Sequence, residues 1–337
     1  MTRIVRLGGR RNERGVVIIW IAFFMTVMLG FVAIGIDIAK LMATRTQLQN
    51  AADAAALAAA SAISPQTGQI DPDTAIARAQ ETAGRNVAFV NGPEPLQLSA
   101  ADVVFPTADR VQVTVRRSPS TGGSMVTHMA QVVGVTSLTL EASATALAER
   151  SGSVDCGLVP LGVAPPSGQT FQTGCVGYAL RRPQVSGTGG RYRALAFPNC
   201  DNGPCAGMAS TGSSTYQCLF ANGYCCSIRE GDLVDTQPTL YDAPTSSAVN
   251  ARFDSDTDQR SGLCHTQYQG NGRRVIVVPV TTRSRAGTRV TVTGFAAFFL
   301  QSRPSSGTIQ GEFLYAVAPG GGGGNANNTL YSLRLVR

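Results

Sequence analysis

The sequence is poor in charge: Asp, Glu, Lys and Arg make up 15% of its 337 residues, against about a quarter in an average soluble domain. A charge-rich disordered chain is thereby excluded. Lysine is nearly absent, Lys40 being the only one, and the formal charge of +7 rests almost wholly on arginine. A nucleic-acid binder concentrates such charge in patches interleaved with aromatics. Here one arginine cluster lies at the extreme N-terminus and the rest is scattered, so no nucleic-acid partner is expected. Histidine occurs only at His128 and His265, which counts against histidine-based metal sites and catalysis. No G-x-x-x-x-G-K-S/T, H-E-x-x-H or G-x-S-x-G motif is present, and the glycines around Gly189 read as loop chemistry rather than a phosphate cradle. An enzyme is the weakest reading, and no cofactor, metal or catalytic residue is expected. The length itself predicts two compact units.

Polar residues are missing from Val16 to Ile36, where Thr26 is the only plainly polar one. About 21 residues rising about 1.5 Å each span roughly 30 Å, the thickness of a bilayer's hydrocarbon core. A soluble core helix would carry a polar face at helical spacing, and this stretch has none. Arg3, Arg6, Arg10, Arg11 and Arg14 precede it against a single Glu13, while Asp37, Lys40 and Arg45 follow. The positive-inside bias puts a basic tail, 1–15, in the cytoplasm, a transmembrane helix at 16–38 and the bulk of the chain outside. The apolar run of a cleaved signal peptide would be shorter, about 7–15 residues, so a retained single-pass anchor in the lipid bilayer is expected.

Nothing breaks the helix before Ser64-Pro65, and residues 39–63 form an Ala-rich extension. Ile34, Leu41, Leu48, Ala55 and Ala62 recur at every seventh position. They predict a packing seam whose small end admits another helix or a sheet, on a rod of roughly 70 Å for residues 16–63. The pattern GFVAIGIDIAKLMATRTQLQNAADAAALAAA carries Gly35, Asp37, Arg45, Leu48, Gln49 and the block Ala51–Ala58. Entered from a basic tail and an apolar helix, it resembles the N-terminal segment of TadG-like proteins of the Flp (Tad) pilus-assembly system. Relatives that are processed are often cut after a glycine, with Glu at the fifth mature position; counting from Gly15, that position is Trp20. The resemblance is therefore to the uncleaved type. It implies a bacterial inner-membrane protein with a periplasmic body, an accessory or minor component that scaffolds pilus assembly. Other pilus-assembly or pilin-like subunits would be partners through the N-terminal helix. The alternative is an envelope-anchored adhesin or ligand-binding protein.

Residues 64–150 read as a small α+β unit, pilin-like by the same resemblance. Asp71-Pro72 predicts a helix start and Asn91-Gly92-Pro93 a stop, giving a helix to about Val90. Leu96, Leu98 and Val103–Phe105 read as strand. Val111, Val113 and Val115 alternate with polar residues as a half-buried strand. A short helix from Met125 to Val133 and a strand from Leu138 to Leu147 follow.

Cysteine is absent from the first 155 residues, and Cys156, Cys175, Cys200, Cys205, Cys218, Cys225, Cys226 and Cys264 all follow the apolar helix. An even count on the exported side predicts disulfides from an oxidising compartment; eight cysteines allow 105 pairings, and spacing selects none. Zinc would prefer C-x-x-C pairs, which are missing. His265 beside Cys264 is an adjacency without a second base. Residues 151–319 read as a Cys-rich, mainly β domain, with strands at Val275–Val280 and Val290–Thr293. At 320–337, Gly320–Gly324 read as a flexible linker, and Tyr331, Leu333 and Leu335 as a terminal strand tied back to a sheet. Asp254, Asp256 and Asp258 form the one carboxylate cluster. Gly262 is misplaced for an EF-hand and no Glu follows, so a solvated acidic loop is expected. The fold class is α+β.

Overall fold

Between Ile36 and Ser61 neither glycine nor proline interrupts the run of good helix formers. In the computed structural model one unbroken helix, α1 (Arg14–Ala60), passes through it. The structure describes residues 14–89, 93–118, 125–126, 137–166, 171, 173–175, 177–181, 190–237, 243–282 and 288–336. After α1 the chain turns back, and the Asp71 N–H donates to the Ala62 carbonyl at 2.9 Å. Asp71 Oδ1 accepts from the N–H groups of Asp73 and Thr74 at 3.1 and 3.2 Å. Asp71 thus caps α2 (Pro72–Gly84), as the Asp-Pro pair predicts. The helix ends at Gly84, short of the expected Val90. Val87–Phe89 forms β1 instead, paired antiparallel with β2 (Pro93–Pro95). Glycine favours the stop, and β-branched and aromatic residues favour the strand.

A hairpin of β3 (Val103–Thr107) and β4 (Arg110–Arg117) follows, with Val103 opposite Val113. Val111, Val113 and Val115 point into the core at the predicted period of two. Met125–Val126 is β5, paired with β6 (Ser137–Leu138), so the helix expected from Met125 starts as strand; its remainder falls outside the described residues. β7 (Leu140–Arg150) is long and buries Ala142, Ala144 and Ala146 in alternation.

The rest of the chain carries β8 (Ser153–Val154), β9 (Leu161–Ala164), β10 (Tyr178–Arg181), β11 (Gly190–Ala196), α3 (Ser213–Asn222), β12 (Ile228–Arg229) and β13 (Leu233–Thr236). α4 (Ala243–Asp254), β14 (Val275–Thr281), β15 (Arg289–Leu300), β16 (Thr308–Leu314), β17 (Ala316–Val317) and β18 (Leu330–Val336) complete it. Strand pairing runs from β14 to β15, β16, β10, β11 and β9, and the parallel contact of Val280 with Val163 returns it to β14. The strands close into a ring, which leaves few free edges. β13 bridges β11 and β15. Side chains of β15 alternate between two cores: Ala296, Phe298 and Leu300 join one, and Phe295, Ala297 and Phe299 the other. Tyr216 and Phe220 of α3 and Val249 and Phe253 of α4 complete the first.

A separate five-stranded sheet has the order β17-β18-β7-β4-β3. The terminal strand β18 lies antiparallel to β7, from Tyr331 opposite Arg150 to Val336 opposite Thr145. The last strand of the chain therefore completes a sheet begun in its middle. Two compact units result: one of residues up to Ala54 with Gln80–Asp102 and Thr114–Ser143, the other of Ala55–Ala79, Val103–Val113 and Ala144–Arg337.

The glycine run is not the free linker its composition predicts. The Gly152 N–H donates to the Gly321 carbonyl, and the Gly321 N–H to Ser153 Oγ, each at 2.8 Å. Gly324 donates to the Arg150 carbonyl at 2.9 Å. A Cβ on Gly320 or Gly324 would overlap the carbonyl of Ser153 or Ser151. The glycines are needed for close backbone approach, a demand that composition does not distinguish from flexibility.

Candidate functional site: the N-terminal helix and the disulfide-bonded chain beyond it

From Val17 to Val32 the large apolar side chains of α1 lie exposed, Ile19 at 70% and Phe31 at 69%. Apolar exposure on this scale marks an interaction surface rather than a soluble one. The one hydroxyl in the run is satisfied within the helix, Thr26 Oγ1 donating to the Ala22 carbonyl at 2.9 Å, as a lipid environment requires. Trp20, Phe23 and Phe24 gather near the N-terminal end with ring centroids 6.1–6.3 Å apart. Of these, tryptophan favours the membrane–water interface.

Beyond Ile36 the helix becomes two-faced. Asp37, Thr44, Leu48, Ala51, Ala55 and Ala59 are buried by the chain itself, at helical spacing. Of the predicted seam, Leu48, Ala55 and Ala62 are buried, Leu41 is half-buried and Ile34 is exposed. The small-residue end of the seam is thus occupied within this molecule. Ile34 precedes Asp37, where cover by the chain begins, so it lies on a stretch without buried residues and has nothing in the chain to pack against.

A helix long and apolar enough to cross a membrane, the one such helix among the described residues, leads into a mixed α+β chain with several sheets and four disulfides. These features define the class: a disulfide-bonded α+β protein led by a helix of membrane-crossing length and apolarity. Residues 15–62 match the model of the Tad family, described as Flp pilus-assembly TadE/G-like. The match ends just beyond α1 and takes in a small part of the chain. No curated protein matches the sequence, and no solved structure does.

All eight cysteines are paired: Cys156 with Cys225, Cys175 with Cys264, Cys200 with Cys226 and Cys205 with Cys218. Cys264 therefore offers no thiol to its neighbour His265. That ring is half-buried, 5.3 Å from the Phe299 ring centroid, and burial lowers its pKa. No group of three or more His, Cys, Asp or Glu side chains able to hold a metal ion occurs among the described residues.

The aspartate cluster corrects an expectation, for only Asp254 lies on the surface, paired with Arg303 at 2.7 Å. Asp256 and Asp258 are buried, at 4% and 6% exposure. Asp256 accepts hydrogen bonds from the Tyr268 hydroxyl and from the N–H groups of Asp258 and Arg274. Asp258 receives Arg260 through two nitrogens at 2.7 and 2.8 Å, and the Gln269 N–H at 3.0 Å. The Arg260 guanidinium, then the Gln269 N–H, hold the Asp258 carboxyl well below the usual carboxylate range. Burial, then the bond to Asp256, pushes the Tyr268 hydroxyl up to about 12. Beneath them Arg274, fully buried, donates to the carbonyls of Leu300, Asp258, Arg260 and Gln301 at 2.7–3.0 Å. Its guanidinium lies 4.3 Å from the Phe253 ring centroid and 4.7 Å from that of Phe299. This is a satisfied polar knot that closes a loop, and alternate aspartates give no hint of it.

Glu312, at 2% exposure, accepts the His265 backbone N–H. Burial raises its pKa, against the lowering effect of that hydrogen bond. A raised folded-state pKa contributes stability below the ordinary carboxyl range that is lost as pH rises through the folded value. Glu312→Gln is therefore expected to raise the thermal midpoint at pH 7, with the gain vanishing towards pH 4. Thermal midpoints of both proteins across that interval check it. Asp258 works in the opposite sense, contributing stability above the ordinary range that is lost as pH falls.

Proposed function

We propose that this protein is a non-enzymatic, single-pass component of a bacterial Flp/Tad pilus-assembly apparatus, accessory or minor, acting as a scaffold. The observation that carries the reading is the family match at residues 15–62 on a helix whose lipid-length apolar part is exposed. The five arginines before the apolar run support a cytoplasmic N-terminus and a periplasmic body in the inner membrane, and four disulfides suit an oxidising compartment. The plan of a long helix followed by a sheet in which β3, β4 and β7 are neighbours supports a pilin-like unit. The anchor fixes the body at the membrane, and the disulfide-bonded part presents a contact surface. Because Leu48, Ala55 and Ala62 are covered by the chain itself, a partner helix is left the membrane-level stretch of α1.

Affinity capture of the full chain from detergent-extracted membranes tests this. Co-purification of pilus-assembly subunits is the expected result. Recovery of the chain alone, repeated after mild cross-linking, would sink the scaffold role and favour an envelope-anchored ligand-binding protein.

A further inference from the structure

The exposed surface of α1 changes character at one level and its covered surface at another. Every exposed residue from Ile34 to Ala43 is apolar, Ile38 and Met42 being the largest at 49% and 64% exposure. The two polar side chains in that interval are withdrawn from this face: Asp37 is buried and Lys40 is half-buried. Exposed polar groups begin only at Arg45, followed by Thr46 and Gln49. On a neighbouring face, about 100° round the helix, cover by the chain begins at Asp37 and continues through Leu41 and Thr44 to Leu48. The offset between Asp37 and Met42 is about 7–8 Å along the axis.

A helix standing upright in a flat bilayer would leave the lipid at one height all round. Here one face stays suited to lipid for more than a turn after the other has become protein-covered. From Val17 to Met42 that apolar length is roughly 39 Å, against about 30 Å of hydrocarbon, and an over-long apolar stretch is accommodated by tilt. The stripe is continuous with the exposed apolar surface of the span and ends on Arg45, whose long stem can reach the head groups from just below them.

We propose that α1 leaves the bilayer obliquely. The Ile38–Met42 face remains in the acyl-chain and head-group layer, while the Asp37–Leu41–Thr44–Leu48 face at the same level is covered by other residues of the chain. The occupant of the stripe is lipid. This rests on the membrane-anchor reading, and the experiment separates the two.

Trp20 is the only tryptophan, so the native chain reports on the span itself, and single-tryptophan variants W20F/M42W and W20F/Q49W report on the stripe and the polar turn beyond it. The full chain is reconstituted in phosphatidylcholine vesicles with acyl chains brominated at graded depths. Met42→Trp is expected to be quenched at least about twofold, most strongly by the shallowest bromines, while Gln49→Trp is not. If Trp20 is quenched but Met42→Trp behaves like Gln49→Trp, the anchor stands and the oblique exit is wrong. Met42→Trp shielded from both brominated lipid and aqueous acrylamide would mean that a second copy covers the stripe, which also overturns it. An unquenched Trp20 removes the anchor and the inference together.

Discussion

Arg274→Met is expected to lower the stability of the disulfide-bonded part of the chain by about 3–5 kcal/mol, the cost of leaving several buried carbonyls without their donor. Methionine keeps much of the volume, so the loss reads out charge and hydrogen bonding rather than a cavity. Four carbonyls, of Leu300, Asp258, Arg260 and Gln301, lose their donor at once. The buried carboxylates of Asp256 and Asp258 also lose the favourable field of its positive charge. Each buried acceptor left unpaired costs about 1–3 kcal/mol if water does not reach it. Arg274→Lys should recover less than half of the loss, because a compact ammonium cannot serve four separated carbonyls as a planar fork does. Urea unfolding followed by intrinsic tyrosine fluorescence gives both values. A methionine variant within 1 kcal/mol of the parent would mean that water replaces the guanidinium.

The second large effect concerns the longest disulfide loop. Cys175 and Cys264 lie 89 residues apart in sequence, whereas Cys205 and Cys218 are separated by 13. If a cross-link acts by restricting the unfolded chain, removing the first should cost about 4–5 kcal/mol and the second about 3 kcal/mol. The Cys175→Ser/Cys264→Ser double variant should therefore unfold at clearly lower urea than the Cys205→Ser/Cys218→Ser variant. Dithiothreitol should bring both to a common reduced midpoint. The reverse order would show that folded-state contacts around Cys205 and Cys218, which flank Phe197 and Leu219 in the second core, outweigh chain entropy.

Several elements were legible in the sequence because each rests on a signal confined to a few neighbouring residues. The unbroken α1 follows from propensity and the lack of a breaker, the cap at Asp71 from its own side chain, and the buried face of β4 from alternating valines. Other readings failed where a local signal had two meanings. Val87–Phe89 could extend a helix or start a strand, and Gly84 together with pairing to Pro93–Pro95 decided for the strand. Gly320–Gly324 could be slack or tightly packed, and Ser151 and Ser153 lying against them decided for packing. Alternate aspartates could be solvated or buried, and for Asp256 and Asp258 the Tyr268 hydroxyl, the Arg274 backbone N–H and the Arg260 guanidinium decided for burial, while Asp254 stayed on the surface. Leu48, Ala55 and Ala62 are buried by the chain itself, and a periodic pattern carries no information on whether the partner belongs to the same chain.

By itself the sequence determined that an apolar helix of bilayer length leads the chain, that this helix continues as an alanine-rich rod, and that the cysteines all lie beyond it. These properties depend on composition and on contacts a turn or two apart. Only the tertiary structure decided which cysteines meet, that six strands close into a ring, that the last strand pairs with Leu140–Arg150, and that Arg274 sits under the aspartates. Each of those joins residues far apart along the chain, and such contacts form only when the burial of many apolar side chains together outweighs the entropy of closing the loops between them.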